Sequence, residues 1–204
     1  MISSFLCPRT RDLFITGNAA LFGGSSLAAL RLLDMLQCIT SPLDFPSAVA
    51  CRRVSGSKTA YSLPVDEAAV LRFSWSGASA ANVRILPSGS DVPGADANPP
   101  DPLPLDTEAR RIVSHPGRVL QEHFMIPRGI SANRLSAAMQ VPVSRILDII
   151  NERRGVSADT ASRLSLCVGA SPRFWAAMQS EYELSVIRME KDLASLPSLL
   201  PGKA

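Results

Sequence analysis

The stretch SANRLSAAMQVPVSRILDIINERR, residues 131–154, decides how this chain is read. Ser131 is a residue type that caps helices, and Ile130 and Leu135 stand at the spacing of a hydrophobic staple around it. A short helix over 131–139 follows. Val141-Pro142 marks a tight turn, because a residue before proline avoids the helical region. A second short helix then turns Ile146, Ile149 and Ile150 inward, and a loop holding Asn151, Arg153 and Arg154 closes it. Two short helices, a tight turn and a basic loop make the pattern of a helix-turn-helix DNA reader. In that arrangement the second helix enters the major groove by its N-terminal end. The residues expected to touch bases are therefore Val143, Ser144 and Arg145: an apolar contact for a thymine methyl, a short hydroxyl, and a cation for guanine or phosphate. Ser131, Arg134, Asn151, Arg153 and Arg154 are expected at the phosphate backbone.

Flanking residues extend the helical reading over 108–196. Pro116-Gly117 opens a helix to about Ile126, with Val119, Leu120, Phe124 and Met125 as core candidates, and Pro127 and Gly129 end it. Gly155 ends the second helix of the pair. Ser157 caps a helix with Ala161, Leu164 and Val168 inward, which stops at Gly169. Ser171-Pro172 opens a long helix, read as far as Leu196, on which Trp175, Met178, Tyr182, Val186, Met189, Leu193 and Leu196 form one seam. That seam is long enough to serve a partner as well as its own core.

Residues 87–106, PSGSDVPGADANPPDPLPLD, break the pattern. Six prolines, two glycines and four aspartates leave almost nothing to bury, and the segment reads as a mobile tether over about 88–107. Before it, residues 1–87 read as α+β. Strands are expected over 2–6, 48–54, 60–65, 70–75 and 82–86, with Pro64 marking an edge or a bulge. Helices are expected over 8–14 and 26–39. In the second, Leu27, Leu30, Leu33 (or Asp34), Met35 and Leu36 make an apolar stripe. The expected architecture is a helical layer on a small antiparallel sheet, tethered to an all-α unit.

Composition excludes several classes. Among 204 residues the net charge is only +3, so nucleic-acid contact should be local rather than spread along a basic tail. Cys7, Cys38, Cys51 and Cys167 are scattered and read as reduced thiols. Two histidines, His115 and His123, make a histidine metal site a poor reading, and no cofactor or small-molecule substrate is expected. His115, followed by Pro116, reads as the start of a helix rather than as a catalyst. The longest uncharged apolar-leaning run, residues 19–30, contains Gly23, Gly24, Ser25 and Ser26, too short and polar for a membrane span. No signal peptide is read, and the cytoplasm is the expected location.

Residues 115–184 resemble the HigA-type antitoxins, lambda-repressor-like helix-turn-helix proteins. The resemblance rests on His115-Pro116-Gly117, SANRLSAAMQVPVSRI, Asn151 with Arg153-Arg154-Gly155, SADTASRL and SPRFWAAMQSEYEL. It implies a five-helix unit over 108–204 with its helix-turn-helix core at 117–170, dimeric binding to a palindromic operator, and neutralisation of a cognate toxin. Residues 1–87 resemble, more weakly, the HigB toxins, RelE-like ribosome-dependent mRNA interferases. MISSFLCPRTRDLFITG, the helix over 27–39, Ser41-Pro42-Leu43-Asp44, YSL at 61–63 and FSW at 73–75 carry that likeness. Where the family has Gln-Trp-Arg this chain has Ala68, Ala69 and Val70. Where the family ends its last strand Asp-Tyr-His, this chain has Pro87, Ser88 and Gly89. Arg52, Arg53, Lys58, Arg72 and Arg84 remain and are read as ordinary surface charges. The expectation is a catalytically silent toxin-like domain fused to a DNA-binding antitoxin domain. Two alternatives stay open: an active interferase carrying its own antitoxin, and a toxin-binding module that has lost DNA binding.

Overall fold

The computed structural model describes residues 1–46, 49–90, 102–105 and 111–191. The N-terminal half starts with β1 (Ser4–Phe5) and α1 (Pro8–Thr16), the latter with proline in its first turn and closed by Gly17 in the left-handed conformation (φ 70°). Next comes α2 (Ser26–Cys38), then the strands β2 (Arg52–Arg53), β3 (Ala60–Pro64), β4 (Ala69–Ser76) and β5 (Ser79–Pro87). Period-two patterning turns Leu63, Leu71, Phe73, Val83 and Ile85 into the core that α1 and α2 cover.

The sheet departs from expectation in three ways. Its order is β2-β3-β4-β5-β1-β6, and it is mixed: β1 runs parallel to β5, with Phe5 opposite Val83. Parallel pairing joins residues far apart in sequence, which strand patterning alone does not register. The run expected over 48–54 is a strand only at Arg52–Arg53, paired with Tyr61 and Ser62. Among the described residues Leu63 and Pro64 thus have no strand partner on that side, which suits a proline without an N–H. The sixth strand, β6 (Leu103–Pro104), comes from the stretch read as a free tether and pairs antiparallel with β1. Leu103 and Leu105 pack against the core, an apolar contribution that the surrounding prolines and aspartates mask. Residues 91–101, 106 and 107 of that stretch lie outside the described residues.

The C-terminal half is helical. It comprises α3 (Pro116–Val119), α4 (Ala132–Met139), α5 (Val143–Ile150), α6 (Ala158–Val168) and α7 (Pro172–Glu190). The helix expected to run evenly from 116 to about 126 changes pitch instead. It widens into a π turn over Leu120–Met125, then tightens into a 3-10 turn over Ile126–Arg128. Pro127 has no N–H to continue the ladder, so the register shifts around it. Phe124, Phe174 and Trp175 form the aromatic centre, with the Trp175 indole N–H donating to the Gly169 carbonyl at 3.1 Å. The seam of α7 is split between uses. Trp175 and Met178 are buried, Met189 is 54% exposed, and the helix stops at Lys191, whose backbone is extended. Leu193 and Leu196 lie outside the described residues.

The two halves are docked within one chain. One stripe of α2 carries Arg31, Asp34 and Cys38, and α2 packs on α7. Asp34 is 1% exposed and accepts from the Arg111 guanidinium and, at 2.9 Å, from the Ser114 N–H. Arg111 also donates to the Phe14 carbonyl at 2.8 Å and lies over the Phe14 ring. Arg31 pairs with Glu122. Both faces of α2 are therefore covered, which is why Asp34 sits buried inside an otherwise apolar pattern. All four cysteines are free thiols.

Candidate nucleic-acid interface

Local chemistry builds the α4–α5 pair. The Ser131 hydroxyl accepts from the Arg134 N–H at 3.2 Å and caps α4. At the other end Gln140 takes the left-handed conformation (φ 54°), and its N–H closes back onto Ala137. Pro142 stands as the N-cap of α5, so the turn spans only a few residues. Ile146 and Ile149 are buried, which fixes the rotation of α5 and sends Val143 (37% exposed), Ser144 and Leu147 (41% exposed) outward.

Along α5 the expected contact residues fall in two groups. Val143, Ser144 and Arg145 occupy the N-terminal end of α5. Asn151, Arg153 and Arg154 occupy its C-terminal end and the exposed loop beyond. Five residues of α5, Ile146–Ile150, separate the groups by about 9 Å along the helix. Arg134 is exposed on α4. Two expectations are modified. The Ser131 hydroxyl is already engaged in its cap, leaving backbone rather than side chain for a phosphate. Arg145 is not a free cation: its guanidinium stands 3.6 Å from Asp159, which also holds Arg163 at 2.9 Å. A half-exposed pair of this kind is weak, so Arg145 is held only loosely by Asp159.

Three features of the site were not read from the sequence. Gly117 lies where α3 crosses α5, and a Cβ there would stand 1.8 Å from the Ile149 carbonyl oxygen. Gln179, buried on α7, accepts from the Val156 N–H at 2.7 Å and anchors the loop's far end. Arg118 reaches Glu152 within the loop. Each joins elements distant in sequence, so no local motif announces it. His115 behaves as expected: it caps α3, its Nδ1 accepting from the Gly117 N–H at 3.0 Å. Burial pushes its pKa down, which keeps that acceptor neutral. Among the described residues no cluster could hold a metal ion, and no helix is long and apolar enough to cross a membrane.

A helix pair turned this way, with one helix end and a basic loop exposed, has a helix-turn-helix arrangement. No family model matches the chain. Virulence-associated protein I of Dichelobacter nodosus is 40% identical over 87 residues, covering 43% of this chain and 79% of that protein. Antitoxin GraA is 36% identical over 44% of this chain and 98% of its own (TM-score 0.41). Pseudomonas aeruginosa antitoxin HigA, solved with the higBA promoter, is 34% identical over 43% of this chain and 98% of its own (TM-score 0.38). The identity to virulence-associated protein I and its coverage carry the assignment. Through its C-terminal region the chain belongs to the family of virulence-associated protein I. These relatives carry the names of antitoxins and of a virulence-associated protein.

Proposed function

We propose that this chain is an antitoxin-type transcriptional regulator that binds a palindromic operator as a homodimer. Val143, Ser144 and Arg145 face bases, while Ser131, Arg134, Asn151, Arg153 and Arg154 contact phosphates. The domains are residues 1–87, the toxin-like part, and 108–204, the DNA-binding part. The observation that carries this reading is the rotation of α5: its two buried isoleucines leave Val143 and Ser144 exposed at the protruding end. GraA is also known in complex with its operator, which supports DNA as the partner.

The test is a titration of the full chain against duplex from its own upstream region, with salt varied. Affinity should fall steeply with salt, because bound phosphates release counterions. Replacing both Ser144 and Arg145 by alanine should remove about 1–3 kcal/mol of discrimination per lost base contact while leaving weak non-specific binding. Unchanged discrimination between operator and random duplex would sink the assignment of these residues.

The N-terminal half, read as a HigB-like domain, should cleave no mRNA. One observation favours the other reading. Arg52, Arg53, Val54, Ser62 and Arg72 line a cleft of about 470 Å³, and among the described residues none of the helical half contributes to it. Arg72 and Arg84 stand opposite each other across β4 and β5. Inducing the full chain in cells separates the two: normal growth with intact transcripts is expected, and arrest with mRNA cleavage that an Arg72→Ala variant lacks would establish the interferase.

A further inference from the structure

Glu152 is out of place in the basic loop. It carries a negative charge between Asn151 and Arg153, and its backbone is left-handed (φ 62°), a conformation that side chains other than glycine seldom adopt. Arg118 holds it there, donating to Glu152 Oε1 from Nε at 2.8 Å and from Nη2 at 2.7 Å. Arg118 has a second carboxylate in reach: Glu122, one helical turn on, at 3.8 Å. Glu122 is itself occupied by Arg31, which projects from α2 in the other half of the chain. Asp34, three residues along the same face of α2, fixes the register of this contact through Arg111 and Ser114. The four charges therefore alternate in a line, Arg31, Glu122, Arg118, Glu152, from the N-terminal half to the loop beside the recognition helix.

We infer that Arg31 is a positioning residue for DNA binding: by engaging Glu122 it leaves Arg118 to neutralise Glu152 and hold the 151–154 loop in its binding shape. The inference rests on the DNA-binding reading above. Without Arg31, Glu122 competes for Arg118. Glu152 is then released beside Arg153 and Arg154, where its charge opposes phosphate, and the left-handed turn loses its restraint.

The test uses the full chain and two measurements. In operator titrations Arg31→Ala should weaken binding about twofold to fivefold, the scale of partly exposed ion pairs. Arg31→Lys should stay near wild type. Glu122→Gln alone should change little. The double variant, Arg31→Ala with Glu122→Gln, should regain wild-type affinity, because a neutral amide in place of the carboxylate no longer draws Arg118 away. A role limited to docking the two halves predicts the opposite, since the double variant loses both partners of the contact. Hydrogen exchange in the free protein reads the same device without DNA. The amides of Glu152, Arg153 and Arg154, which donate to Ile149 and Asp148, should exchange faster in Arg31→Ala and recover in the double variant. Unaltered affinity in Arg31→Ala, or a double variant no better than the single, overturns the inference. Failure of the wild type to bind any upstream duplex, with the exchange pattern as expected, overturns the DNA-binding reading but leaves the loop restraint standing.

Discussion

Gly117→Ala is expected to destabilise the C-terminal half by about 3 kcal/mol or more and to abolish operator binding. The added methyl would lie 1.8 Å from the Ile149 carbonyl oxygen and 2.6 Å from its carbon. Both are backbone atoms in the last turn of α5, so no side-chain rotation relieves the overlap. Relief requires α3 to move off α5, and each shift disturbs something already committed. The Gly117 N–H is bound to His115, and the Ile149 carbonyl accepts from the Glu152 N–H at 3.0 Å. Displacing Ile149 therefore also displaces the loop bearing Arg153 and Arg154. Thermal unfolding of the variant should shift by several degrees, and the operator titration should show no saturable binding. A midpoint within about 2 °C of wild type would mean that the close approach is not a constraint in solution.

Asp34→Ala should separate the two halves. The carboxylate is buried against Arg111, and it also satisfies the Ser114 N–H at the approach to α3. Removing it leaves a poorly solvated guanidinium with the Phe14 and Ile112 carbonyls, and an amide without that acceptor. Breaking one side of a buried pair costs about 3–5 kcal/mol, far more than the pair contributes relative to apolar replacements. Asp34→Asn keeps the shape and one acceptor, so its loss should be smaller. Calorimetry of the wild type should show one cooperative transition, and that of Asp34→Ala two. A single transition at the wild-type midpoint would show that the contact between α2 and the helical half contributes nothing to stability.

These two residues also show what the sequence made legible. Helix starts were readable because their causes are local. Ser131, Ser157 and Ser171 each accept from the N–H three residues on, and each stands before its helix as the capping rule requires. The inward isoleucines of α5 were readable for the same reason, since a period of three to four residues fixes a helix face. Asp34 was visible only as an interruption of the stripe on α2. Its burial depends on Arg111, 77 positions away. The pairing of β1 with β5, the restraint of Arg145 by Asp159 and the approach of Gly117 to Ile149 share that character. Each is set by tertiary packing between segments that carry no mutual signal in sequence. The outward end of α5 was thus legible, while the network that holds it was not.

The short strand β6 has a bearing on solubility. Without it β1 would be the rim of the sheet, and a bare rim offers N–H and C=O groups to any passing chain. Leu105 donates inward to the Ser3 carbonyl at 3.1 Å, so by alternation the residues whose amides would point outward are 102 and 104. Both are proline, which has no N–H. The segment that joins the two halves therefore also guards the β1 edge of the sheet, with a border whose outward residues, Pro102 and Pro104, cannot donate to a further strand.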